Sequence, residues 1–367
     1  MASFDIGFLG GGQLARMSIQ AAQRLGLRCL VLDPDPDCPA AQISESIQGA
    51  INNLDFVTGV FRQCHRVTLE NEFIPANVVE QSFALAGRTD TGCVLPSWQA
   101  LANIQDKFVQ RCLLSEAGVP GPQFYDRVSF HLAVDLPMIA KARFGGYDGK
   151  GTKTIRSESD LDEVRKLVET GAWYLEDFVP FKRELAVMVF RSGQEVGCFP
   201  TMETVQTDHV CDLVFPAGVD ASGTAVRAVD AIEGFGLFGV ELFELHDGSF
   251  WVNEIAPRPH NSGHATLDWG GPSQFEQHIR LVMGWHCSRA TGQDVCMANL
   301  LGQTGAGDYR SGIREAISAV SDARIHWYGK RESRTGRKMG HINVPGPDCV
   351  ERAKLAREAF YNGWCGQ

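Results

Sequence analysis

The chain has 367 residues, 44% hydrophobic and 21% charged, which fits a globular protein of two or three domains with a substantial core. A net charge of −10 argues against a general nucleic-acid or membrane-surface binder, although it leaves room for a local basic pocket. Eleven cysteines without Cys-x-x-Cys or zinc-type spacing predict reduced thiols in a cytoplasm, the start Met-Ala-Ser-Phe-Asp-Ile lacks signal-peptide character, and no run approaches the roughly 18 apolar residues of a membrane span.

In chain order, Phe4 to Leu9 reads as a buried strand, Gly10-Gly-Gly12 as a turn, and Gln13 to Leu25 as a helix stopped by Gly26. Leu27 to Leu32 is a second strand, ending at Asp33-Pro34. This βαβ outline is that of a dinucleotide fold, with Ala15 at the last position of the Gly-x-Gly-x-x-Gly fingerprint. Two readings stand: NAD binding, or a Rossmann-like domain that uses the turn structurally or for another ligand. Val67 to Ile74 reads as extended, which would put Glu70 and Glu72 on one face, either solvated or gripping a cationic or hydroxyl-bearing ligand. A helix follows over 76–86. Another helix begins at Pro96-Ser97, carries Lys107, runs through Leu114 and breaks at Gly118-Val-Pro-Gly-Pro122.

The densest signal is Lys141-Ala-Arg-Phe-Gly-Gly-Tyr-Asp-Gly-Lys-Gly-Thr152, with glycines at 145, 146, 149 and 151 between two apolar runs. It predicts strand, glycine-rich loop, strand. Such a loop can offer backbone N–H groups to a phosphate chain, with Lys141 and Lys150 opposing its charge. It is not a Walker A motif, since no Gly-Lys-Ser/Thr opens a helix, and it reads as a lid over a nucleotide triphosphate; the alternative is a hairpin with solvated lysines. A helix over 159–170, capped by Ser157 or Ser159, follows. The strand from Trp173 then becomes a connector at Glu176-Asp-Phe-Val179, able to meet an adenine edge through its backbone while Phe178 and Val179 pack the ring. Glu184 leads a further apolar strand, as a strand-end charge or a ribose acceptor.

Phe238 to Glu244 and Ser249 to Ile255 read as strands joined at Asp247-Gly248, a dipeptide that favours a two-residue type I′ hairpin. In that register Glu241 faces Glu254 with Cβ atoms about 4.5–5.5 Å apart. Two carboxylates so close repel unless one protonates or a cation lies between them, and nucleotide-bound magnesium is the economical choice; solvated glutamates on an edge hairpin are the alternative. Ala256-Pro-Arg-Pro-His-Asn-Ser-Gly-His264 follows, where Arg258, His260, Asn261 and His264 supply donors for a small anion. Near the end, a strand at Arg324 to Tyr328 and one at Met339 to Val344 flank Lys330-Arg-Glu-Ser-Arg-Thr-Gly-Arg-Lys338, whose five basic residues suit one phosphate monoester better than a nucleic acid.

Taken together, these motifs resemble the ATP-grasp superfamily and, within it, the 5-(carboxyamino)imidazole ribonucleotide synthases of purine synthesis. The resemblance runs almost end to end. It is carried by Gly10-Gly-Gly-Gln-Leu-Ala-Arg-Met17, Gly145 to Gly151, Glu176 to Val179, Val252 to His264, Ser273-Gln-Phe-Glu-Gln-His278 and Arg337-Lys-Met-Gly-His341. It implies an α/β and α+β multidomain fold: a Rossmann-like domain over 1–100, an ATP-grasp domain over 101–290 with its lid at 145–152, and a small β-rich C-terminal domain over 291–367. It implies that ATP phosphorylates bicarbonate to carboxyphosphate, which, itself or as released carbon dioxide, carboxylates the exocyclic amine of 5-aminoimidazole ribonucleotide.

The same resemblance assigns residues. Lys107 and Lys141 would hold ATP phosphates, and Gly146, Tyr147, Asp148, Gly149, Lys150, Gly151 and Thr152 would form the lid. Glu176, Asp177, Phe178 and Val179 would frame adenine, Glu184 would take the ribose, and Gln206 and Asn253 would lie by the nucleotide. Glu241 and Glu254 would bind magnesium, with manganese a possible substitute. Arg258, His260 and Asn261 would hold the bicarbonate-derived group. Glu72, Tyr147, Asp148 and Lys150 would meet the aminoimidazole nucleotide, with Lys330, Arg337 and Lys338 on its phosphate. A homodimer is expected, with no nucleic-acid or membrane partner. Ala15, Thr152, Gln206 and Ala265 depart from the family pattern, which affects details of binding rather than the reaction class. The competing readings are another ATP-grasp carboxylase or ligase with a different phosphorylated acceptor, an NAD-linked oxidoreductase, and a non-catalytic nucleotide sensor.

Overall fold

The structure, a computed structural model, describes residues 2–129, 136–146, 151–193, 195–207 and 210–365. The N-terminal part is a five-stranded parallel sheet in the order Glu45–Gln48, Cys29–Asp33, Phe4–Leu9, Cys64–Leu69, Val94–Leu95. The central strands Phe4–Leu9 and Cys29–Asp33 are largely apolar because both faces are covered, while the edge strand Glu45–Gln48 is polar and mostly exposed. Helices Leu54–Gln63 and Ala76–Leu85 close one face over Leu9, Leu32 and Val67. Helix Gln13–Arg24 and, from far along the chain, Phe275 and Ile279 of helix Gln274–Val282 close the other over Ile6, Phe8 and Val31.

The glycine turn is occupied by the protein's own carboxylates. Gly11 N–H donates to Asp33 Oδ2 (2.7 Å) and Leu14 N–H to Glu70 Oε1 (3.3 Å). A Cβ on Gly12 would come within 2.2 Å of Glu70 Oε1, so the turn needs glycine to admit a carboxylate rather than a diphosphate. This removes the physical basis of the NAD reading. It also corrects the extended assignment of residues 67–74: the strand ends at Leu69, Glu70 turns back into the N-terminal turn, and Glu72 points elsewhere, so the two acids share no strand face.

The helix expected from 97 through 114 is two helices, Trp98–Gln105 and Lys107–Glu116. The break is at Asp106, extended at φ −93°, ψ 101°, whose side chain accepts from Phe108 and Val109 N–H and so caps the second helix. Asp106 also pairs with Arg143. The break puts Lys107 in the first turn of a helix aimed at the central cleft.

Two further sheets form that cleft. One has four antiparallel strands in the order Phe124–Tyr125, Trp173–Asp177, Met138–Ala142, Thr152–Ile155, backed by helix Glu158–Glu169, which Ser157 and Asp160 cap reciprocally. The other is an antiparallel sheet of nine strands. It runs from the hairpin Phe250–Ala256 and Gly236–Leu245 through Phe181–Arg191, Met202–Thr207 and Val210–Pro216, then into Val295–Leu301, Lys338–Pro345 and Arg324–Trp327, with Val196–Cys198 beside Phe181–Arg191. The last three strands, packed under helices Tyr309–Ala319 and Cys349–Cys365, thus continue the sheet of the middle region through the pairs Leu213–Ala298 and Val214–Met297.

The hairpin closes differently from the two-residue turn expected. Leu242 faces Val252 and Glu244 faces Phe250, and Leu245 N–H donates to Ser249 O, so the loop holds His246, Asp247 and Gly248, with Gly248 at φ +83°. That register alone would not set Glu241 against Glu254. A β-bulge restores it: Asn253 is an extra residue between the pairs Leu242–Val252 and Glu241–Glu254. The opposed glutamates are therefore present, but the bulge rather than the turn places them.

Candidate active site

The bulge breaks the strand's alternation once, so that two consecutive residues face the cleft. Val252 and Ile255 are buried in the core behind the sheet, while Asn253 and Glu254 both reach the cleft. Backbone carbonyls at the bulge take side-chain donors: Arg111 Nη1 and Nη2 donate to Val252 O (2.8 Å) and Asn253 O (2.6 Å). Arg111 lies one helical turn beyond Lys107, which itself donates to Glu254 Oε2 at 2.8 Å. From the facing sheet, Lys141 Nζ bonds Glu176 Oε2 (2.8 Å) and Asn253 Oδ1 (3.1 Å), bridging the two walls.

Glu176 sits at the centre of this knot, accepting from Arg111 Nε (2.9 Å) and Tyr174 Oη (3.0 Å) as well as Lys141. Burial would raise its carboxyl, but Arg111 and Lys141 prevail and hold it at about 2. Its carboxylate is committed to these partners, so the connector's backbone, with buried Val179 and exposed Phe178, is what remains for a ring edge. Glu241 is the opposite case. Burial in the cleft, then Glu254 and Glu184, push it up to about 7, only partly offset by Lys107 and Lys338, although 39% of its side-chain surface stays open to the cleft. Asn253 Nδ2 donates to it at 3.3 Å. Two opposed acids, one reluctant to ionise, beside an amide are a donor set that fits a divalent cation. Among the described residues no group of three His, Cys, Asp or Glu forms a cage, so a cation there would need oxygen ligands from its nucleotide.

Beyond Glu254 the chain turns through Arg258, which forms a two-pronged ion pair with Glu72 of the N-terminal part (Nη2 to Oε1 2.8 Å). Burial opposes both charges, yet the pairing holds the Glu72 carboxyl down and the guanidinium up. The His260 ring stands between Ser262 Oγ (Nδ1, 2.9 Å) and Glu241 Oε1 (Nε2, 3.3 Å). The Asn261 amide is engaged reciprocally with Asn299 (3.1 and 2.7 Å). His264 departs from expectation: fully buried, it meets Gln274 and the His341 ring (centroids 5.0 Å apart) and offers nothing to an anion in the cleft.

The basic loop divides. Lys330 Nζ donates to Lys338 O (2.7 Å) and lies over the Tyr328 ring, Arg331 pairs with Asp37, and Arg334 pairs with Glu332. Arg337 is exposed, and the charge of half-buried Lys338 acts on Glu241. Glu184 shares the face of Ala186, which pairs directly with Glu241. Gln206 is exposed at the end of its strand, beside a register shift. Asp177 pairs with Met138 in the smaller sheet. Gly146 and Thr152 flank the lid, where Gly151 (φ +82°) accepts from Ala142 N–H (2.7 Å) and Thr152 pairs with Lys141. The expected lid residues Tyr147, Asp148, Gly149 and Lys150 lie outside the described residues. The sequence reading missed Arg111, Asn299 and Gln274. Arg111 had a signal in its four-residue spacing from Lys107.

Comparison with known proteins gives matches along the chain. The ribonucleotide synthetase preATP-grasp domain matches residues 3–105, the ATP-grasp domain residues 115–275, and the phosphoribosylaminoimidazole carboxylase C-terminal domain residues 295–354. The chain is 38% identical to the N5-carboxyaminoimidazole ribonucleotide synthase of Synechococcus elongatus, over 96% of this chain and 92% of that one. It is 39% identical to the phosphoribosylaminoimidazole carboxylase of Schizosaccharomyces pombe, but spans only 64% of that protein's length. The carboxyaminoimidazole ribonucleotide synthase of Aspergillus clavatus complexed with ATP superposes with a TM-score of 0.86 at 33% identity, covering 98% of this chain and 99% of that one. A structure from the same organism, in complex with ADP and 5-aminoimidazole ribonucleotide, has a TM-score of 0.86 at 32% identity and 98% coverage of both chains.

Proposed function

The chain belongs to the N5-carboxyaminoimidazole ribonucleotide synthase family of ATP-grasp ligases, and from that premise we propose how its own residues carry out ATP- and bicarbonate-dependent carboxylation of 5-aminoimidazole ribonucleotide. The observation that carries the reading is the bulged strand, which sets Glu254 against Glu241, Asn253 against Lys141, and Arg258 with His260 directly downstream. Phosphoryl donor and phosphoryl acceptor then meet along one stretch of chain.

Lys107 and Lys141 bind the triphosphate, and residues 146–152 close over it. Glu241 and Glu254 would hold magnesium, which when bound offsets charge on the phosphates. Arg258 and His260 orient bicarbonate for attack on the terminal phosphorus, giving carboxyphosphate and ADP. The exocyclic amine then takes the carboxyl group and phosphate leaves. Carboxyphosphate hydrolyses in water, so lid closure protects it, and positioning and electrostatics supply most of the acceleration. Glu72, with Tyr147, Asp148 and Lys150, meets the aminoimidazole, and Lys330, Arg337 and Lys338 bind its phosphate. The functional units divide near residues 100 and 290, the assembly is a homodimer, and the setting is cytoplasmic. All eleven cysteines are free, and among the described residues no helix is long and apolar enough to cross a membrane.

The test is ADP release from magnesium-ATP and bicarbonate with and without 5-aminoimidazole ribonucleotide. Strong stimulation, with labelled bicarbonate entering an acid-labile product, is expected. Turnover without stimulation would point to a different acceptor, and light scattering checks the dimer.

A further inference from the structure

His260 has an unusual seat. It follows a proline, lies in no strand and caps the turn that begins at Asn261. Gly263 N–H already donates to its carbonyl (3.0 Å), and the fully buried Gln274, fourteen residues on, adds a second hold on that carbonyl and the hold on its N–H. Gln274 Oε1 accepts from His260 N–H at 2.9 Å and its Nε2 donates to His260 O at 2.8 Å, so one carboxamide closes on both backbone groups of one residue. The orientation of that amide is fixed, because a backbone N–H can only donate and a carbonyl can only accept. Nε2 therefore also faces His264 Nδ1 (2.9 Å) as a donor, which leaves the His264 ring proton on Nε2.

Four more contacts lock the amide and the ring. Gln274 N–H donates to Thr266 Oγ1 (2.9 Å), which donates to Gly263 O (2.6 Å). A Cβ on Gly263 would come within 2.4 Å of Gln274 Oε1, so the loop presses its glycine onto the amide. A Cβ on Gly239 would come within 2.5 Å of His260 Cβ, so the strand below lets the histidine lie against it. Between this clasp and that strand, the ring is aimed at Glu241 with Ser262 on its other nitrogen.

We propose that Gln274 is the positioning residue for His260, holding its imidazole where the bicarbonate-derived group is bound. The inference rests on the role given to His260 above. Gln274 does not touch the reacting atoms; it acts through the backbone of the residue that does.

The experiment is a double-mutant cycle on the full chain, with Gln274→Met and His260→Ala alone and combined, reading kcat/KM for bicarbonate, KM for ATP and ADP affinity. Each single change is expected to lower kcat/KM for bicarbonate by about 10- to 100-fold, and the double variant to fall within about twofold of His260→Ala alone, because residues acting as a unit are not additive. ADP affinity stays at the wild-type value. Gly263→Ala, which crowds the amide without removing a hydrogen-bonding group, should give the same bicarbonate-specific loss, and its cycle with His260→Ala replaces the first if Gln274→Met does not fold. Additive losses, or a matching loss of ADP affinity, would overturn the positioning role and leave His260's role intact. Unchanged bicarbonate kinetics in His260→Ala would overturn both.

Discussion

Two glutamates in one cleft titrate in opposite directions, and the difference lies in their partners. Glu176 is buried against two cations and stays ionised, whereas Glu241 is crowded by two acids and resists ionising. Removing a cation from the first has a definite cost. Arg111→Met leaves the buried Glu176 carboxylate with Lys141 as its one cation and takes the donors from Val252 O and Asn253 O, and should destabilise the fold by about 3 kcal/mol, measured by the denaturant midpoint. For the second pair, Glu254→Gln should lower turnover by at least about 100-fold with the circular dichroism spectrum unchanged, and near-normal magnesium-dependent activity would remove the metal assignment. At this scale the sequence was informative where chemistry and spacing coincide: the lysines, the opposed acids and the Arg-x-His-Asn run are all legible. Gln274 and Asn299 are not, since an isolated amide carries no pattern and its meaning comes from a fold that brings a distant backbone to it.

Among the elements, the bulged strand decides the site. Strand and hairpin were readable from alternation and from Asp-Gly, yet the loop has one more residue than expected and the strand has one more to compensate. Only the pairing shows this, because a bulge has no composition of its own. The same holds for the helix broken at Asp106, where apolar spacing runs on and an aspartate with three roles interrupts it: cap for the next helix, partner to Arg143, and pivot for Lys107. Asp106→Ala should lower stability by about 2 kcal/mol through loss of the cap and of a partly buried ion pair, and should raise KM for ATP as Lys107 loses its fixed start. Thermal denaturation and initial rates check both. The glycine turn shows the reverse situation: the element was recognised, but its occupant, Glu70, was unreadable until the strand before it was seen to end early.

In the whole molecule, the fully buried histidines lie at seams. His278 meets Thr68 of the N-terminal sheet (3.0 Å), and the His264 and His341 rings meet, tilted at 42°, where the middle region joins the last strands. Burial lowers all three, His278 to about 4. A histidine whose folded value is depressed contributes stability that is fully present above its unfolded value near 6.5 and is lost as pH falls below it. The expected outcome is a melting temperature that declines from pH 6.5 toward 4, each histidine removing about 1.4 kcal/mol per pH unit, with Glu241 offsetting one of the three between about 4.5 and 7 because its raised carboxyl favours the folded state as pH falls through that window. Paired acids such as Glu176 add their loss only below about 4.5. His278→Asn should shallow that decline. The continuity of the nine-stranded sheet has its own outcome: removing residues 291–367 would bare the edge at Val210–Pro216, and the shortened chain should aggregate, as sedimentation would show.

The cleft pairs Lys107 with Glu254, Lys141 with Glu176 and Arg258 with Glu72. Magnesium triphosphate is itself a cation joined to an anion. On the proposed reading its arrival would be a double decomposition, as between two salts in solution: Lys107 would exchange a carboxylate for phosphate while Glu254 exchanged ammonium for metal. Seen from a distance, the pocket has little net field to draw a nucleotide in. The association rate should therefore change only weakly with added salt, in contrast to the steep dependence of a bare lysine cluster, and stopped-flow binding over a range of ionic strengths would distinguish the two.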